Sequence, residues 1–424
     1  MLDIKFIREN KDAVQAGAQK KRIDFSVEEL LKIDDERKAA LITVERMKAE
    51  QNSFTENIAK CPNKLDKEKL IGEMKVLKVD LQKNEADLKK IMTQWRALMV
   101  RTPNIPDMSV PEGKDDADNV EQTVWGEKPQ FDFEPKDHIE LMQNLDLVDL
   151  KRGVKTAGFR GYFLKNEAAR LSLALWQFAL DTMVAKGFTP LLVPSLVKKE
   201  PFLGTGYLPQ GKEDLYEVDE ETYLTGTAEV PVMAYHMDEV LEKKDLPLKF
   251  VAFSPCFRKE AGSYGKDTKG LVRVHEFFKV EQVILCEADH QQSVEFHEEI
   301  RQNSEELMQA LQLPYRVVVN CGGDLGLGQV KKYDIEAWVP SQNKYRETHS
   351  ASYFHDFQTR RLNIKYKDDD GKLKFAHSLN NTVIATPRIL VSLMENNQLE
   401  DGSIKIPEVL QKYIGIEIIQ SRKK

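Results

Sequence analysis

Two arginines at the facing ends of neighbouring predicted strands could together bind an anionic substrate. Arg258 follows a strand-like segment that ends at Phe257, and Arg273 precedes the next one after a glycine-containing loop. A hairpin would bring these permanent cations together. Two guanidinium groups suit an oligophosphate, because each can donate paired hydrogen bonds to phosphate oxygens. A single arginine is more often part of a surface salt bridge, so the pair has to be judged with its surroundings.

The elements that would position these arginines belong to a chain of 424 residues, which is long enough for at least two domains. Beyond residue 120, helical stretches such as 167–185 are mixed with β-branched runs such as 248–253, 279–285 and 316–320. This pattern predicts an α+β domain with a mostly antiparallel sheet flanked by helices. Neither GxGxxG nor GxxxxGK[ST] occurs, which excludes a Rossmann dinucleotide site and a P-loop.

Two heptad patterns predict an N-terminal antiparallel two-helix coiled-coil arm over about residues 28–100. Apolar residues occupy seven of nine heptad positions within residues 30–58 and eight of nine within residues 70–98. A short breaker that contains Pro62 lies between the two patterns, so the second helix can fold back on the first.

The arm could serve for dimerisation or for nucleic-acid binding, and its charge bears on this choice. Heptads most often mediate helix pairing, which favours a dimerisation rod. The whole chain has a net charge of −7, whereas residues 46–90 carry eleven Lys and Arg against eight Asp and Glu. Six lysines near the tip and along the second helix could contact the phosphates of a nucleic acid. They are Lys60, Lys64, Lys67, Lys69, Lys75 and Lys78.

Local composition predicts the domain boundary and the cellular location. Residues 104–120, which are rich in proline and aspartate, form a connector between a helical domain at residues 1–103 and a second domain at residues 121–424. No run of eighteen apolar residues and no secretory signal is apparent, so no membrane contact is expected. The four cysteines form no CxxC pair, and a reducing cytoplasm is the expected location.

The two arginines lie in a pattern that resembles motif 2 of the class II aminoacyl-tRNA synthetases, and among them the seryl-tRNA synthetase family. It reads FRKEAGS at residues 257–263 and GLVRVHEFFKVE at residues 270–281. Residues 186–194 are similar to motif 1, which forms the dimer interface in this class, and residues 380–388 are similar to motif 3. The TGTAE sequence at residues 225–229 resembles the family's serine-binding loop.

Three more segments support the resemblance, which covers essentially the entire chain. YDIEAW at residues 333–338 and YRE at residues 345–347 are similar to two family strands. The N-terminal hairpin is similar to the family's tRNA-binding arm. The resemblance therefore implies a serine–tRNA ligase that uses ATP and Mg²⁺ and joins L-serine to tRNA(Ser) through a seryl-adenylate. It also implies a homodimer, and leaves selenocysteine tRNA open as a second acceptor.

The resemblance further implies the site residues. Catalysis would depend on Arg258, Glu260 and Arg388. L-Serine would bind to Thr227, Ala228, Glu229, Arg258, Glu281, Asn380 and Thr382. ATP would bind to Arg258, Lys259, Glu260, Arg273, Val274, Phe277, Glu347, Thr348, His349, Ser350 and Arg388, with Mg²⁺ at Glu347 and Ser350. The six lysines of the arm would bind tRNA.

By the same resemblance, Arg258 would bind the α-phosphate and the serine carboxylate, and Arg388 the outer phosphates. Glu260 and Val274 would contact adenine, with Phe277 stacked on its ring.

Some alternatives stay open at the level of sequence. A lone histidine such as His349 is more often structural than catalytic, and no proton transfer is assigned to it. The chain could be a related ligase that charges another acceptor, or an inactive structural homologue. An inactive homologue would be expected to lose one of five residues that are all present, namely Arg258, Glu260, Glu281, Glu347 and Arg388.

Overall fold

The computed structural model describes residues 2–262, 265 and 267–421, and the chain divides into two compact units. The first, here the helical unit, contains Leu2–Gln19 and Ile23–Pro103. The second, here the sheet unit, contains Lys20–Arg22 and the described residues from Asn104 onward. Ser263, the last residue of the FRKEAGS segment, lies outside the described residues.

The helical unit consists of two short helices and two long ones. They are α1 (Ile4–Glu9), α2 (Lys11–Lys20), α3 (Val27–Lys60) and α4 (Lys64–Arg101). The guanidinium of Arg37 lies 4.7 Å from the ring centre of Trp95, and the Lys48 ammonium lies 2.8 Å from the Glu85 carboxylate. A later residue of α3 therefore contacts an earlier residue of α4, which means that the two helices run in opposite directions. This geometry confirms the predicted antiparallel hairpin.

Local chemistry explains where the long helices begin and which face they bury. The Ser26 hydroxyl accepts a hydrogen bond from the amide of Glu29, and the Asn63 side chain accepts one from Leu65. Both contacts satisfy amides that have no partner in the first turn of a helix. Every position of the two predicted heptad patterns is buried or half-buried, so the apolar seam holds the arm together.

A buried carboxylate stabilises the base of the arm. Asp34 on α3 is fully buried and lies 2.8 Å from Arg8, 2.8 Å from Arg37 and 2.9 Å from Lys38. Burial alone would raise the pKa of Asp34, but hydrogen bonds from Lys38, Arg37 and Arg8 lower it to about 2. The Asp34 carboxylate is thus the shared ion-pair partner of three cationic side chains.

We predict that Asp34→Asn lowers the free energy of unfolding of the helical unit by about 1–3 kcal/mol at neutral pH, because a charged hydrogen-bond acceptor is lost. The folded pKa is depressed, so the contribution of Asp34 is full above about pH 4 and is lost as the pH falls towards 2. Denaturant unfolding of variant and wild type should therefore converge in acid. Asp35→Asn is the control, since Asp35 is 62% exposed and an equal loss there would contradict the account.

The sheet unit contains the remaining elements in α+β order. Its helices are α5 (His138–Asn144), α6 (Leu150–Ala157), α7 (Asn166–Ala185), α8 (Lys199–Thr205), α9 (Glu229–Ala234), α10 (His290–Ala310), α11 (Phe357–Arg361), α12 (Arg388–Asn396) and α13 (Glu408–Ile414). Its strands are β1 (Val120–Trp125), β2 (Thr189–Leu192), β3 (Leu196–Lys198), β4 (Tyr216–Asp219), β5 (Thr222–Leu224), β6 (Val240–Glu242), β7 (Leu248–Phe257), β8 (Glu276–Cys286), β9 (Tyr315–Val319), β10 (Lys331–Val339), β11 (Lys344–Tyr353), β12 (Lys365–Lys367), β13 (Leu373–Phe375), β14 (His377–Thr386), β15 (Ile404–Lys405) and β16 (Ile418–Ile419).

The largest sheet has the strand order β1-β9-β10-β11-β14-β8-β7-β2. Its neighbours pair antiparallel, except that β2 runs parallel to β7. The predicted mostly antiparallel sheet is confirmed. No helix in the described part of the chain is long and apolar enough to cross a membrane.

Strand β8 shows how this sheet separates a core face from a polar face. Val280 and Ile284 are buried in the main hydrophobic core, which also contains Ile300 of α10. Lys279 and Glu281 point to the opposite face and line a cavity. Because side chains alternate along a strand, one short sequence supplies both the core and the site.

Candidate active site

A cavity of about 270 Å³ lies on the polar face of the sheet, between β8, β11, β14 and the segments that precede β8. Predicted residues make up most of its wall. They are Thr227, Glu229, Arg258, Glu260, Val274, Phe277, Glu281, Glu347, Thr348, Ser350, Asn380, Thr382 and Arg388. The fold thus brings together residues that are up to 161 positions apart, from Thr227 to Arg388.

Backbone carbonyls hold the two principal cations of the cavity in place. The Arg258 side chain donates to the carbonyl of Gly226 at 3.2 Å. Arg388 donates to the carbonyls of Val272 at 3.0 Å and Glu347 at 2.9 Å. These contacts fix the direction of each guanidinium and leave other N–H groups for a ligand.

Three guanidinium groups lie near one another at this end of the cavity. Burial lowers the pKa of Arg388, and the charges of Arg258 and Arg273 lower it further, against the opposing effect of Glu347 and Glu260. The Arg388 guanidinium therefore lies close enough to those of Arg258 and Arg273 to be repelled by both. An anion bound between them would relieve that repulsion.

The Glu260 and Phe277 side chains line the same end of the cavity. Arg273 donates to the Glu260 carboxylate at 2.6 Å from just outside the cavity wall. Phe277 packs beside Arg258, whose guanidinium lies 5.2 Å from the ring centre. An aromatic face next to a guanidinium suits a flat, electron-rich ring such as a nucleobase.

Hydrogen-bond acceptors mark the other end of the cavity. Thr227 donates its hydroxyl to Glu281 at 2.7 Å, and the Lys279 ammonium donates to that hydroxyl at 2.8 Å. Lys279 also contacts the same carboxylate of Glu281. Thr382 on β14 stands directly opposite Glu281 in the register of the two strands. A small polar molecule with donor groups would find its acceptors here.

Glu229 is the second carboxylate at this end, and its oxygens already have partners. It accepts hydrogen bonds from the hydroxyl of Tyr207 at 2.9 Å and from the amide of Gln358 at 2.6 Å. Burial and the charge of Glu281 raise the pKa of Glu229 to about 7, although the two hydrogen bonds and Lys279 act in the opposite direction.

Strand geometry explains which polar residues reach the cavity. On β14, Asn380 and Thr382 line it, whereas Asn381 points away and donates to Ser304 on α10 at 2.8 Å. On β11, the register with β10 shifts where Thr348 is an extra residue. This bulge lets Glu347, Thr348 and Ser350 all line the cavity, which strict alternation would not allow.

Four predicted residues do not line the cavity. Arg273 reaches it only through Glu260, Ala228 is buried in a hydrophobic cluster, and the Lys259 ammonium lies 5.7 Å from the ring centre of Tyr216. His349 is buried behind the cavity wall, where its imidazole contacts the Thr348 hydroxyl and the carbonyl of Val383.

Burial lowers the pKa of His349 to about 4, so its ring is neutral near pH 7. Its contacts make it a structural hydrogen-bonding residue.

Six polar residues in the wall were not predicted from the sequence. They are Tyr207, Lys279, Gln329, Lys332, Ser352 and Thr386. For Lys279 a signal existed, because period-two alternation places it on the same face of β8 as Glu281. Lys332 and Ser352 face each other across β10 and β11, and only the strand register reveals that pairing.

The six predicted tRNA-binding lysines lie in the helical unit and are all exposed. Lys60 ends α3, and the other five lie on the first four turns of α4. Near its tip the arm also carries Leu65, which is 76% exposed. The ammonium groups of the six lysines therefore face solvent.

Comparisons with known proteins agree with this architecture. Residues 1–106 match the model of the seryl-tRNA synthetase N-terminal domain, and residues 213–397 match that of the tRNA synthetase class II core domain (G, H, P, S and T). A serine–tRNA ligase of Deinococcus radiodurans is 46% identical over 416 residues, which is 98% of each chain. The chain belongs to the seryl-tRNA synthetase family.

Two solved structures of this family superpose on the whole chain. The seryl-tRNA synthetase from Pyrococcus horikoshii, described as complexed with ATP, has a TM-score of 0.91 and 41% identity, covering 100% of both chains. The cytoplasmic serine–tRNA ligase from Naegleria fowleri, in complex with AMP, has a TM-score of 0.86 and 32% identity, covering 100% of this chain and 99% of the other. The family fold therefore extends from the arm to the C-terminal strands.

Proposed function

We propose that this member of the seryl-tRNA synthetase family ligates L-serine to tRNA(Ser) in two steps, with ATP consumed to AMP and diphosphate. One observation carries the proposal. A single cavity combines clustered guanidinium groups at one end with the hydroxyl and carboxylate acceptors of Thr227 and Glu281 at the other. A triphosphate fits the first end and the ammonium and hydroxyl groups of serine fit the second.

In the first step, a carboxylate oxygen of serine attacks the α-phosphorus of ATP. A new phosphorus–oxygen bond forms as the bond to the departing diphosphate breaks, and no covalent enzyme intermediate is needed. The two reactants are both anions, so the protein has to align them and offset their repulsion. Arg258 would bind the serine carboxylate and the α-phosphate, and Arg388 would hold the outer phosphates.

The adenosine part of ATP would occupy the end of the cavity that contains Phe277. Stacking of adenine on this ring would orient the nucleotide, with Glu260 and Val274 contacting the edge of the base. Arg273 fixes the Glu260 carboxylate at 2.6 Å, and thereby its direction. Base recognition would thus depend on side chains that are already positioned.

Glu347 and Ser350 fit the predicted magnesium site by their chemistry. Both line the cavity, and the Glu347 carboxylate lies 3.9 Å from the Arg388 guanidinium, at the predicted position of the outer phosphates. Mg²⁺ prefers hard oxygen donors and commonly takes one or two protein ligands together with phosphates and water. When bound there, it would neutralise phosphate charge.

Serine selection would depend on acceptors that a wrong amino acid leaves unpaired. Glu281 and Thr382 face each other across β8 and β14 and are 2% and 6% exposed. Alanine and glycine lack the hydroxyl donor, so the buried acceptors would lose a partner. Rejection of threonine would depend on the space left for its extra methyl group beside the substrate hydroxyl.

In the second step, the terminal adenosine hydroxyl of tRNA attacks the activated carbonyl carbon, and AMP leaves. The exposed lysines of the helical unit would bind the tRNA backbone. Charging of labelled serine onto tRNA(Ser), with one AMP formed per seryl-tRNA, tests this function. AMP formation without charged tRNA would favour a ligase with another acceptor.

We also propose a homodimer around residues 187–194. Strand β2 is an edge strand of the large sheet, and its residue Leu192 is 84% exposed. An apolar side chain on an unpaired edge suits a twofold interface. Sedimentation at micromolar concentration should give twice the chain mass. The Leu192→Asp variant should sediment with a lower mass, because the substitution weakens the dimer. A wild-type monomer that is fully active would contradict the proposal.

Charging of selenocysteine tRNA and a cytoplasmic location stay predictions.

A further inference from the structure

Lys279 is a buried lysine in the cavity wall for which the proposed function has no role. Its residue is 6% exposed, and it lies on the same face of β8 as Glu281, two positions away. Its ammonium donates to the Thr227 hydroxyl at 2.8 Å and contacts the Glu281 carboxylate. A lysine is seldom buried without a partner, and here both partners belong to the predicted serine site.

The hydrogen bonds around Lys279 have only one consistent direction. An ammonium group has donors only, so the Thr227 oxygen must accept from Lys279. The Thr227 hydroxyl proton is then free to point at Glu281, to which the oxygen lies 2.7 Å away. One carboxylate oxygen of Glu281, Oε2, therefore receives both donors. The other oxygen, Oε1, is left as an acceptor for a ligand.

We propose that Lys279 is a positioning residue for serine, which acts by holding the Glu281 carboxylate and the Thr227 hydroxyl in one orientation. This inference rests on the proposed function and assigns a further residue to the same site. Through Lys279, the cavity presents an acceptor that can bind a donor group only. A hydroxyl or ammonium group of the substrate meets that condition, and a methyl group does not.

The charges that face Glu281 explain why such a cation is needed. The titratable and charged groups around it come from several elements, and they are Lys279, Glu229, Tyr207 and Cys256. Glu229 is a second buried carboxylate, and two carboxylates in one site disfavour double ionisation. The charge of Lys279 opposes this effect, whereas Arg258 is directed by the Gly226 carbonyl.

The test is Lys279→Met, which keeps the length of the side chain and removes its charge. Serine-dependent pyrophosphate exchange should show a KM for serine about 10- to 100-fold higher, because a charge-assisted hydrogen-bond network is lost. The KM for ATP should change by less than about threefold. Lys249→Met is the matched control, since Lys249 pairs with Glu299 at 2.7 Å outside the cavity wall. It should leave both constants unchanged.

The pH profile separates a charge effect from a merely structural one. The charge of Lys279 lowers the pKa of Glu229, so without Lys279 the acid limb of kcat/KM for serine should move to higher pH. The defect should therefore shrink as the pH rises. Lys279→Arg, which restores the charge, should recover part of the serine affinity.

Three results would overturn the inference. These are an unchanged KM for serine, an equal loss for ATP and serine, and a defect that is independent of pH. Unfolding of both the Met and the Arg variant would overturn it too, because Lys279 would then serve stability alone. Wild-type protein that fails to exchange with serine would instead refute the proposed function, and the two failures are thus distinguishable.

Discussion

Arg258→Ala should lower serine-dependent pyrophosphate exchange by about 100- to 1000-fold while the protein remains folded. Removal of one preorganised contact to transition-state charge commonly has an effect of this size. Arg258 is aimed into the cavity by its bond to the Gly226 carbonyl, so its loss removes charge from the reacting centre and not from the surface. Both kcat and kcat/KM should fall, as expected for an interaction that strengthens in the transition state.

Two variants control for this effect. Arg258→Lys keeps a positive charge but loses the planar fork, and should have intermediate activity. Arg152→Ala removes an exposed arginine that pairs only within its own helix turn with Asp149, and should exchange normally. Near-normal exchange in a folded Arg258→Ala protein would remove this residue from the site.

Replacement of residues 34–94 by a short flexible turn should abolish efficient tRNA charging and preserve serine activation. The residues of the cavity wall all belong to the sheet unit, and the arm has its own apolar seam. Exchange without tRNA should therefore stay within a few-fold of wild type. The kcat/KM for tRNA should fall by at least about 100-fold, because the phosphate contacts of the arm supply binding energy. Normal charging would show that the arm is only a rod.

A milder variant tests the charges alone. Changing Lys64, Lys67, Lys69 and Lys75 to Gln keeps helix propensity and removes four positive charges. The logarithmic salt dependence of tRNA binding should become shallower by about one unit for each lysine that contacts a phosphate. The matched control changes four exposed lysines of the sheet unit, which are Lys151, Lys155, Lys367 and Lys372. It has the same net charge and should bind tRNA more tightly than the arm variant.

Periodic patterns made much of the fold predictable. The heptads placed an antiparallel hairpin where α3 and α4 lie, because an apolar stripe on a long polar helix has few other uses. The runs at residues 248–253 and 279–285 lie within β7 and β8, and alternation along β8 directs Val280 into the core and Glu281 into the cavity.

What the sequence could not supply was the register between distant strands. Thr348 joins the cavity wall because the register with β10 shifts at this residue, and no local signal marks that bulge. His349 lies in a promising sequence but points behind the wall for the same reason. Lys332 became visible as a wall residue only through its pairing with Ser352, which depends on a contact between two strands.

Ala228 and Lys259 were predicted as site residues but do not line the cavity, for a different reason. The prediction was made for whole sequence segments, whereas side chains within one segment point in different directions. Thr227 and Glu229 flank Ala228 and face the cavity, which leaves the small side chain between them in the hydrophobic cluster. Segment-level similarity therefore identifies the loop, and the geometry selects its members.

Pyrophosphate exchange without tRNA, measured for each of the twenty amino acids, is the decisive assay of serine activation. We expect serine to support exchange, and kcat/KM for alanine, glycine and threonine to be lower by at least about 100-fold. The polar acceptors at Thr227, Glu281 and Thr382 require a donor that alanine and glycine lack. Exchange that prefers another amino acid, or no exchange with serine in a folded wild-type protein, would contradict the account.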